Sequence, residues 1–88
     1  MNTFTTYPKV VSVRPLEGKR LLVGFDNGVS KEYDCTDLLQ DETFALLADE
    51  PFFRAARVER GGYAVIWDDR MDVAESELWL NGVEVEAE

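Results

Sequence analysis

Apolar and polar residues alternate on both sides of an Asn-Gly pair at positions 27–28. The alternating apolar residues are Leu21, Val23 and Phe25 before the pair, and Val29 and Tyr33 after it. Because successive side chains of a strand point to opposite faces, this pattern predicts a β-hairpin of Lys19–Asp26 and Val29–Asp34 with one buried face. Asn-Gly favours a two-residue type I′ turn, in which both central residues adopt positive φ.

Another strand is predicted before this hairpin, over Lys9–Pro15, where three valines supply β-branched side chains. Pro15 is expected to end this strand, since proline has no N–H to donate to a sheet. The first three strands would therefore follow one another in meander order.

Beyond Asp34 the apolar spacing changes to three and four residues, which is typical of helices. Thr36 is predicted to cap a short helical turn, and Glu42–Glu50 is predicted to form a helix. In that helix Phe44, Leu47 and Ala48 have i, i+3, i+4 spacing, with Leu46 beside them. Pro51 either stops the helix or starts the next turn.

The second half of the chain predicts another hairpin and a closing helix. The hairpin joins Ala56–Arg60 to Tyr63–Asp68 through two adjacent glycines. The helix covers Asp72–Leu80, because Asp72 and Glu75 have the spacing of a capping box. An Asn-Gly pair at positions 81–82 is expected to supply a left-handed stop.

These elements predict an α+β fold in the order β-β-β-α-β-β-α, with a mostly antiparallel sheet and short helices packed on one of its faces. The 88 residues are expected to form a single domain. Its parts are an irregular N-terminus (1–8), a core (9–82) and an acidic tail (83–88). The tail alternates valine and glutamate, so it either frays or adds an edge strand in a complex.

The charge is negative and unevenly distributed. The net charge is −9, and residues 68–88 contain one basic residue, Arg70, against eight acidic residues. Such a charge repels phosphate backbones and anionic lipid surfaces, so we expect no direct binding of nucleic acid and no membrane association. The acidity favours either solubility alone or attraction to a basic protein.

Common catalytic and metal-binding residues are scarce. The chain has no histidine and one cysteine, Cys35, which removes the usual general base, imidazole ligands and a thiolate zinc site. Asp68, Asp69 and Asp72 could hold a hard cation, but turn and capping roles explain them more simply. We therefore expect no metal, no cofactor and no enzymatic activity, and we interpret Cys35 as a buried filler.

The sequence also predicts a cytoplasmic location. No apolar run approaches the length of a membrane span, and the first residues lack the basic and apolar segments of a secretory signal. A single thiol, which cannot form an internal disulfide, agrees with this interpretation.

The order of several short motifs resembles domain-of-unknown-function family 2442 (DUF2442), a family of small bacterial proteins. The motifs are Phe25-Asp26-Asn27-Gly28, Tyr33-Asp34 before Asp37-Leu38-Leu39, Phe44 with Leu47 and Asp49, Phe53, Val58, Trp67, Asp72, and Leu78-Trp79 before Gly82. The chain departs from the family at Asp68-Asp69-Arg70, where a Pro-Asn/Asp-Gly turn is usual, and at Trp79, where tyrosine is usual. The resemblance implies an antiparallel sheet on short helices, with no established active residue.

The family context also bears on function, because some members are fused to a helix-turn-helix DNA-binding domain and others are encoded beside small toxin-like proteins. We expect a non-enzymatic interaction or regulatory module, an antitoxin-like partner of a basic protein, whose contact surface lies within Asp72–Glu88. The candidate contact residues are Glu75, Trp79, Val83, Glu84, Val85 and Glu86.

Two other functions are left open by the sequence. The first is a small-ligand-sensing or dimerisation domain related to the transcription-regulator fusions, whose sheet face would bind either a metabolite or a second copy of the chain. The second is an enzyme that works through carboxylates or through a tyrosine-arginine site.

Overall fold

The computed structural model describes residues 6–86, which form two antiparallel sheets and several short helices, so the predicted α+β class is confirmed. The strands are β1 (Val10–Leu16), β2 (Arg20–Phe25), β3 (Ser30–Asp34), β4 (Arg57–Val58), β5 (Ala64–Asp68), β6 (Met71–Ala74) and β7 (Val83–Val85). The helices are two 3-10 helices (Thr36–Gln40 and Glu42–Ala48), α1 (Glu50–Phe53) and α2 (Glu75–Asn81). Parts of the predicted N-terminus (1–5) and tail (87–88) lie outside the described residues.

The strands are divided between two sheets rather than gathered in one. The first sheet has the order β1-β2-β3-β7, and the second has the order β4-β5-β6. The sheets meet beside β1, where the Val10 amide donates a hydrogen bond of 2.9 Å to the Gly62 carbonyl. Both predicted hairpins are present, as β2-β3 and β4-β5.

The core lies against one face of the first sheet. Leu21, Val23 and Phe25 of β2 are buried on that face, as their alternation predicts, and Tyr33 of β3 is buried beside Leu21. The other large buried side chains of this core are Val10, Leu47, Phe53, Val65, Trp67, Met71, Val73 and Leu78. The two sheets and the helices therefore share a single core.

Trp67 ties the second sheet to α1. Its indole N–H donates a hydrogen bond of 2.9 Å to the Phe53 carbonyl, and the two rings are stacked with their centroids 6.3 Å apart. Because a buried indole N–H without a partner is costly, this bond fixes where β5 lies relative to the helical segment.

The turn of the first hairpin is not the predicted type I′ turn. The Phe25 amide donates to the Val29 carbonyl and the Gly28 amide donates to the Phe25 carbonyl, which closes a three-residue loop. Within this loop only Gly28 has a positive φ, of 89°. A type I turn followed by a left-handed glycine is the usual three-residue hairpin loop, and it needs no positive φ at Asn27.

Two other predicted boundaries in the first half are wrong. β1 continues through Pro15, which pairs with Leu21, because β1 is a terminal strand of its sheet and tolerates a missing N–H. At the start of the first 3-10 helix, the side chain that accepts a backbone hydrogen bond is Asp34 rather than Thr36. The Asp34 carboxylate accepts from the Thr36 amide at 2.9 Å.

The predicted helix over Glu42–Glu50 is broken into two. The second 3-10 helix ends at Ala48, with a kink at Phe44, and α1 begins at Glu50 with Pro51 in its first turn. The Asp49 carboxylate accepts the Phe52 amide at 3.0 Å and so caps α1. An aspartate between two apolar segments therefore starts a new helix here.

The predicted helix over Asp72–Leu80 starts too early. Met71–Ala74 form β6, in which Met71 and Val73 are buried and Asp72 is exposed, so the pattern there has the period of a strand. Helix α2 begins at Glu75 after Ala74, and no capping box forms. As predicted, Leu78 is buried in the core.

The chain after α2 folds back onto the first sheet. Val83–Val85 pair antiparallel with β3, and the register places Glu84 opposite Lys31. Of the two alternatives for the tail, an edge strand forms, although within the chain itself rather than in a complex. Gly82 is extended, with a φ of −75°, so the predicted left-handed stop is wrong. A Cβ at Gly82 would lie 2.5 Å from the Leu78 carbonyl oxygen and 3.0 Å from the Lys31 Cβ.

Substitutions at two glycines test whether position 82 is restricted by contact rather than by backbone conformation. We expect Gly82→Ala and Gly82→Asn each to lower the free energy of unfolding by about 1–3 kcal/mol, because any Cβ overlaps the end of α2. At Gly28, which has open space around it and a positive φ, Gly28→Asn should cost less than Gly28→Ala. Urea unfolding measures all four variants. A nearly neutral Gly82→Asn would contradict the steric explanation.

Candidate functional site

An open groove lies between the end of β3, the first 3-10 helix and α2. Its volume is about 390 Å³, and it is called the acidic groove here because three of its lining residues carry carboxylates. The lining residues are Tyr33, Asp34, Asp37, Leu38, Glu77 and Asn81. The groove therefore joins the C-terminal end of β3 to a helix more than forty residues later in the chain.

The Glu77 carboxylate is held in a defined position. Its Oε2 accepts a hydrogen bond of 2.7 Å from the Tyr33 hydroxyl, and its Oε1 accepts one of 2.9 Å from the Asn81 side-chain amide. Since each carboxylate oxygen can accept about two hydrogen bonds, both oxygens keep capacity for a further donor. Glu77 is thus an oriented acceptor at the groove wall.

Asp34 provides a second anionic group. One of its oxygens accepts both the Thr36 amide, at 2.9 Å, and the Thr36 hydroxyl, at 2.7 Å. These hydrogen bonds, with a smaller contribution from the Arg20 charge, hold the pKa of Asp34 below its usual value. Asp34 therefore stays ionised into the acidic range.

The groove carboxylates have no cationic partner in the part of the chain that the structure describes. The basic side chains of residues 6–86 that form ion pairs do so with other acids, in the pairs Lys9–Glu75, Lys19–Glu50, Arg20–Glu32 and Arg54–Glu50. Within the same residues, no three His, Cys, Asp or Glu side chains are arranged to hold a metal ion. The groove is therefore a region of negative charge whose carboxylates form no direct ion pair within residues 6–86.

Tyr33 and Cys35 are buried next to the groove and are held in their neutral forms. Burial, reinforced by the hydrogen bond to Glu77, raises the pKa of Tyr33 far above its usual value. Burial also raises the pKa of Cys35 to about 12, with the negative charge of Asp34 adding to the effect. Neither side chain therefore supplies a nucleophile at neutral pH.

Four of the six predicted contact residues lie together on the surface. Val83 is 69% exposed, Glu84 and Glu86 are exposed, and Val85 is half-buried, all in or directly after β7. The structure thus places one continuous predicted segment at the edge of the first sheet.

The other two predicted contact residues make contacts within the fold. The Glu75 carboxylate lies 3.2 Å from the Lys9 ammonium, and its side chain is only 14% exposed. The Trp79 ring packs edge-on against Phe25, with centroids 5.1 Å apart, and the Lys31 ammonium lies 3.9 Å from the centre of that ring. Lys31 also donates a hydrogen bond to the Trp79 carbonyl. Both residues fix α2 in place.

The sequence did not identify the groove residues as candidates. Asp34 and Asp37 occur in the family motif, and Glu77 lies inside the predicted closing helix, and none of these positions indicates a groove. Leu80, which is 62% exposed on α2, was also missed. The spacing of Asp34 and Asp37 is no signal either, because Asp34 ends β3 and Asp37 lies in the first 3-10 helix.

The carboxylates at positions 68, 69 and 72 do not converge on one site. The Asp68 carboxylate accepts the Arg70 amide at 2.9 Å within the turn between β5 and β6, and Asp72 is exposed on β6. A second cavity, of about 250 Å³, lies beside this turn and includes Arg70 and Leu46. Its lining combines charges of both signs.

Across residues 6–86, none of the helices has the length and apolar character needed to cross a membrane.

The environment of Cys35 predicts very slow thiol chemistry. With a pKa of about 12, roughly one Cys35 thiol in ten thousand is ionised at pH 8, and the side chain is fully buried. We expect Cys35 to react with a disulfide reagent at least about a hundredfold more slowly than an exposed control thiol, Asp69→Cys in a Cys35→Ala background. Equal reaction rates in folded protein would contradict burial, and equal rates in denaturant would serve as the control.

The pKa of Asp34 predicts a specific acid sensitivity. Because this pKa is lower in the folded state than its ordinary value of about 3.8, ionised Asp34 adds stability that is fully present above that value. The contribution is lost as pH falls through the lowered pKa. We expect Asp34→Asn to reduce the free energy of unfolding at pH 7 and to reduce it less at pH 3, as measured by urea unfolding. Asp69→Asn, in an exposed turn, should show no such difference.

Comparison with known families assigns the chain. A family model described as "Protein of unknown function (DUF2442)" matches residues 10–84 of the 88. No curated protein and no solved structure matches the chain. The matched residues run from the start of β1 into β7, so they include both sheets and every element that lines the acidic groove. The chain therefore belongs to the DUF2442 family.

Proposed function

We propose that this protein is a non-enzymatic interaction module that binds a basic partner protein through the acidic groove and the adjoining surface of α2 and β7. The observation that carries this proposal is the set of three groove carboxylates, Asp34, Asp37 and Glu77, which form no ion pair within residues 6–86. A concave surface of one charge attracts ligands of the opposite charge and raises their association rate.

The geometry favours an arginine or lysine side chain over a metal ion as the bound cation. A divalent ion needs several oxygens within about 2.0–2.6 Å, and the groove acids are not gathered in that way. A guanidinium group is larger and carries five N–H donors in a plane, so it can reach more than one carboxylate around a groove of about 390 Å³. Glu77, oriented by Tyr33 and Asn81, is the best-placed acceptor for such a group.

Exposed apolar residues beside the groove favour a protein as the partner. Leu80 lies on the solvent side of α2, which also carries Glu77, and Val83 follows directly at the start of β7. Charges mainly set the association rate and specificity of a complex, whereas buried apolar side chains supply more of its lasting affinity. The surface contains both kinds of group.

The chemistry of the groove supports a binding role rather than catalysis. The candidate nucleophiles nearest to it, Tyr33 and Cys35, both have raised pKa values. The other polar side chains of the groove are three carboxylates and the Asn81 amide, and the chain has no histidine to transfer protons. An antitoxin-like or regulatory role in the cytoplasm agrees with an acidic module that neutralises a basic surface.

Neutralising the groove tests this function directly. We expect the triple variant Asp34→Asn, Asp37→Asn, Glu77→Gln to bind the partner at least about tenfold more weakly than the wild type. The matched control is Glu17→Gln, Asp69→Asn, Asp72→Asn, which removes the same charge from exposed positions outside the groove. The tagged chain captures the partner from a lysate of its own source cells, and calorimetric titration with the purified partner follows.

The result depends on which triple variant loses affinity. Weaker binding by the groove variant alone, with a basic protein as the ligand, would support the proposal. Equal losses in both variants would mean that net charge, rather than the groove, attracts the partner. Capture of only neutral or acidic proteins, or of none, would overturn the proposal.

Self-association through the face of the first sheet opposite to the core is a second candidate function, which the 69% exposure of Val83 on that face favours. Sedimentation of the full chain over a range of concentrations distinguishes a self-associating protein from a monomer. A dimer that Val83→Thr dissociates would support this alternative, and a monomer at all concentrations would exclude it.

A further inference from the structure

We propose that the outer edge of β7 accepts a strand of the partner in which basic and apolar residues alternate, so that the first sheet gains a fifth strand. This inference rests on the proposed function, because it specifies how a basic partner would bind. It concerns a different surface from the acidic groove, and the two can therefore be tested separately.

The edge of β7 is available for such pairing. Within residues 6–86, β7 is a terminal strand whose one strand neighbour is β3, so its other side carries backbone groups that no strand of the described fold pairs with. An exposed edge of this kind is the surface used when an extended peptide adds to a sheet. Val83, at the start of the strand, is 69% exposed.

The side chains of this edge are sorted onto two faces. Val83 and Val85 pair with Glu32 and Ser30, so they lie on the face of the sheet opposite to the core. Glu84 pairs with Lys31 and lies on the other face. Glu86, two residues later, continues the alternation of the sequence. An added strand would therefore meet valines on one face and glutamates on the other.

The glutamates of the edge favour basic residues in the added strand. Lys31, which lies opposite Glu84, is already engaged by the ring and the carbonyl of Trp79. Neither Glu84 nor Glu86 belongs to an ion pair in the described part of the chain. Since opposite charges directly across two strands stabilise pairing, lysine or arginine suits these positions of the partner.

The same charges disfavour pairing with a second copy of this chain. In a two-fold antiparallel pairing of two β7 strands, centred on Glu84 or on Val85, glutamates of the two copies face one another. Like charges directly across two strands are destabilising. The edge therefore discriminates between its own sequence and a basic strand.

A pair of synthetic peptides tests the proposal with the full chain. The probe is acetyl-Lys-Val-Lys-Val-Lys-Val-amide, and its control carries N-methyl groups on alternate residues, which keep the charges and remove backbone donors. Amide NMR shifts of the full chain report where each peptide binds. We expect the probe to shift the amides of Val83–Glu86 and of β3, and the methylated peptide to cause no saturable shifts there.

A charge reversal adds a readout that a nonspecific attraction would not show. We expect Glu84→Lys with Glu86→Lys to weaken binding of the Lys-Val peptide about tenfold and to create binding of the corresponding Glu-Val peptide. Both positions are exposed, but the change at position 84 sets a lysine directly opposite Lys31, so the amide NMR spectrum of the variant must first show that β7 still pairs with β3. The matched control is Glu17→Lys with Asp69→Lys, which changes the net charge equally at exposed sites outside β7.

The outcomes separate this inference from the proposed function. Shifts confined to the acidic groove would overturn strand addition and leave a basic partner in place. If the methylated peptide bound equally well, or if the two charge reversals had equal effects, net charge alone would explain the binding. Either result would also overturn strand addition. Saturable binding at the β7 edge that follows the reversal of charge would establish it.

Discussion

The side chains of Leu21, Val23 and Phe25 project from β2 into the core. The other elements of the fold cover these three side chains and exclude water from them. β1 and β3 pair on either side of β2, and α2 adds Leu78 to the same core. Burying a side chain of this size contributes about 1.5–3 kcal/mol. Three of them together approach the roughly 5–15 kcal/mol by which a small domain is stable.

The same burial positions the acidic groove. Tyr33 is paired with Leu21, so its ring enters the core while its hydroxyl emerges at the groove and meets Glu77. Leu78 is fully buried one residue after Glu77, which points the glutamate away from the core. The groove carboxylates are therefore oriented by apolar contacts. None of the three forms an ion pair within residues 6–86, and Arg20 acts on Asp34 only at longer range.

Several basic side chains of this protein form contacts within the fold, whereas many of its acidic side chains are exposed to solvent. Lys9, Lys19 and Lys31 each stabilise a contact between distant parts of the chain, through Glu75, Glu50 and the Trp79 ring. The surplus of acids then lies at the groove and after α2. The basic partner proposed above would meet an oriented carboxylate, exposed apolar residues and the edge of a sheet there.

The sequence by itself determined the two hairpins, the buried face of β2 and the concentration of acid at the C-terminal end, because alternation and charge are local properties. Tertiary structure decided what depends on distant contacts. Met71–Ala74 form a strand because they pair with β5, although the capping-box spacing of Asp72 and Glu75 favours a helix there. Gly82 is required by the approach of α2 to Lys31, not by its own φ. The acidic groove joins β3 to α2 across more than forty residues, so no local pattern could predict it.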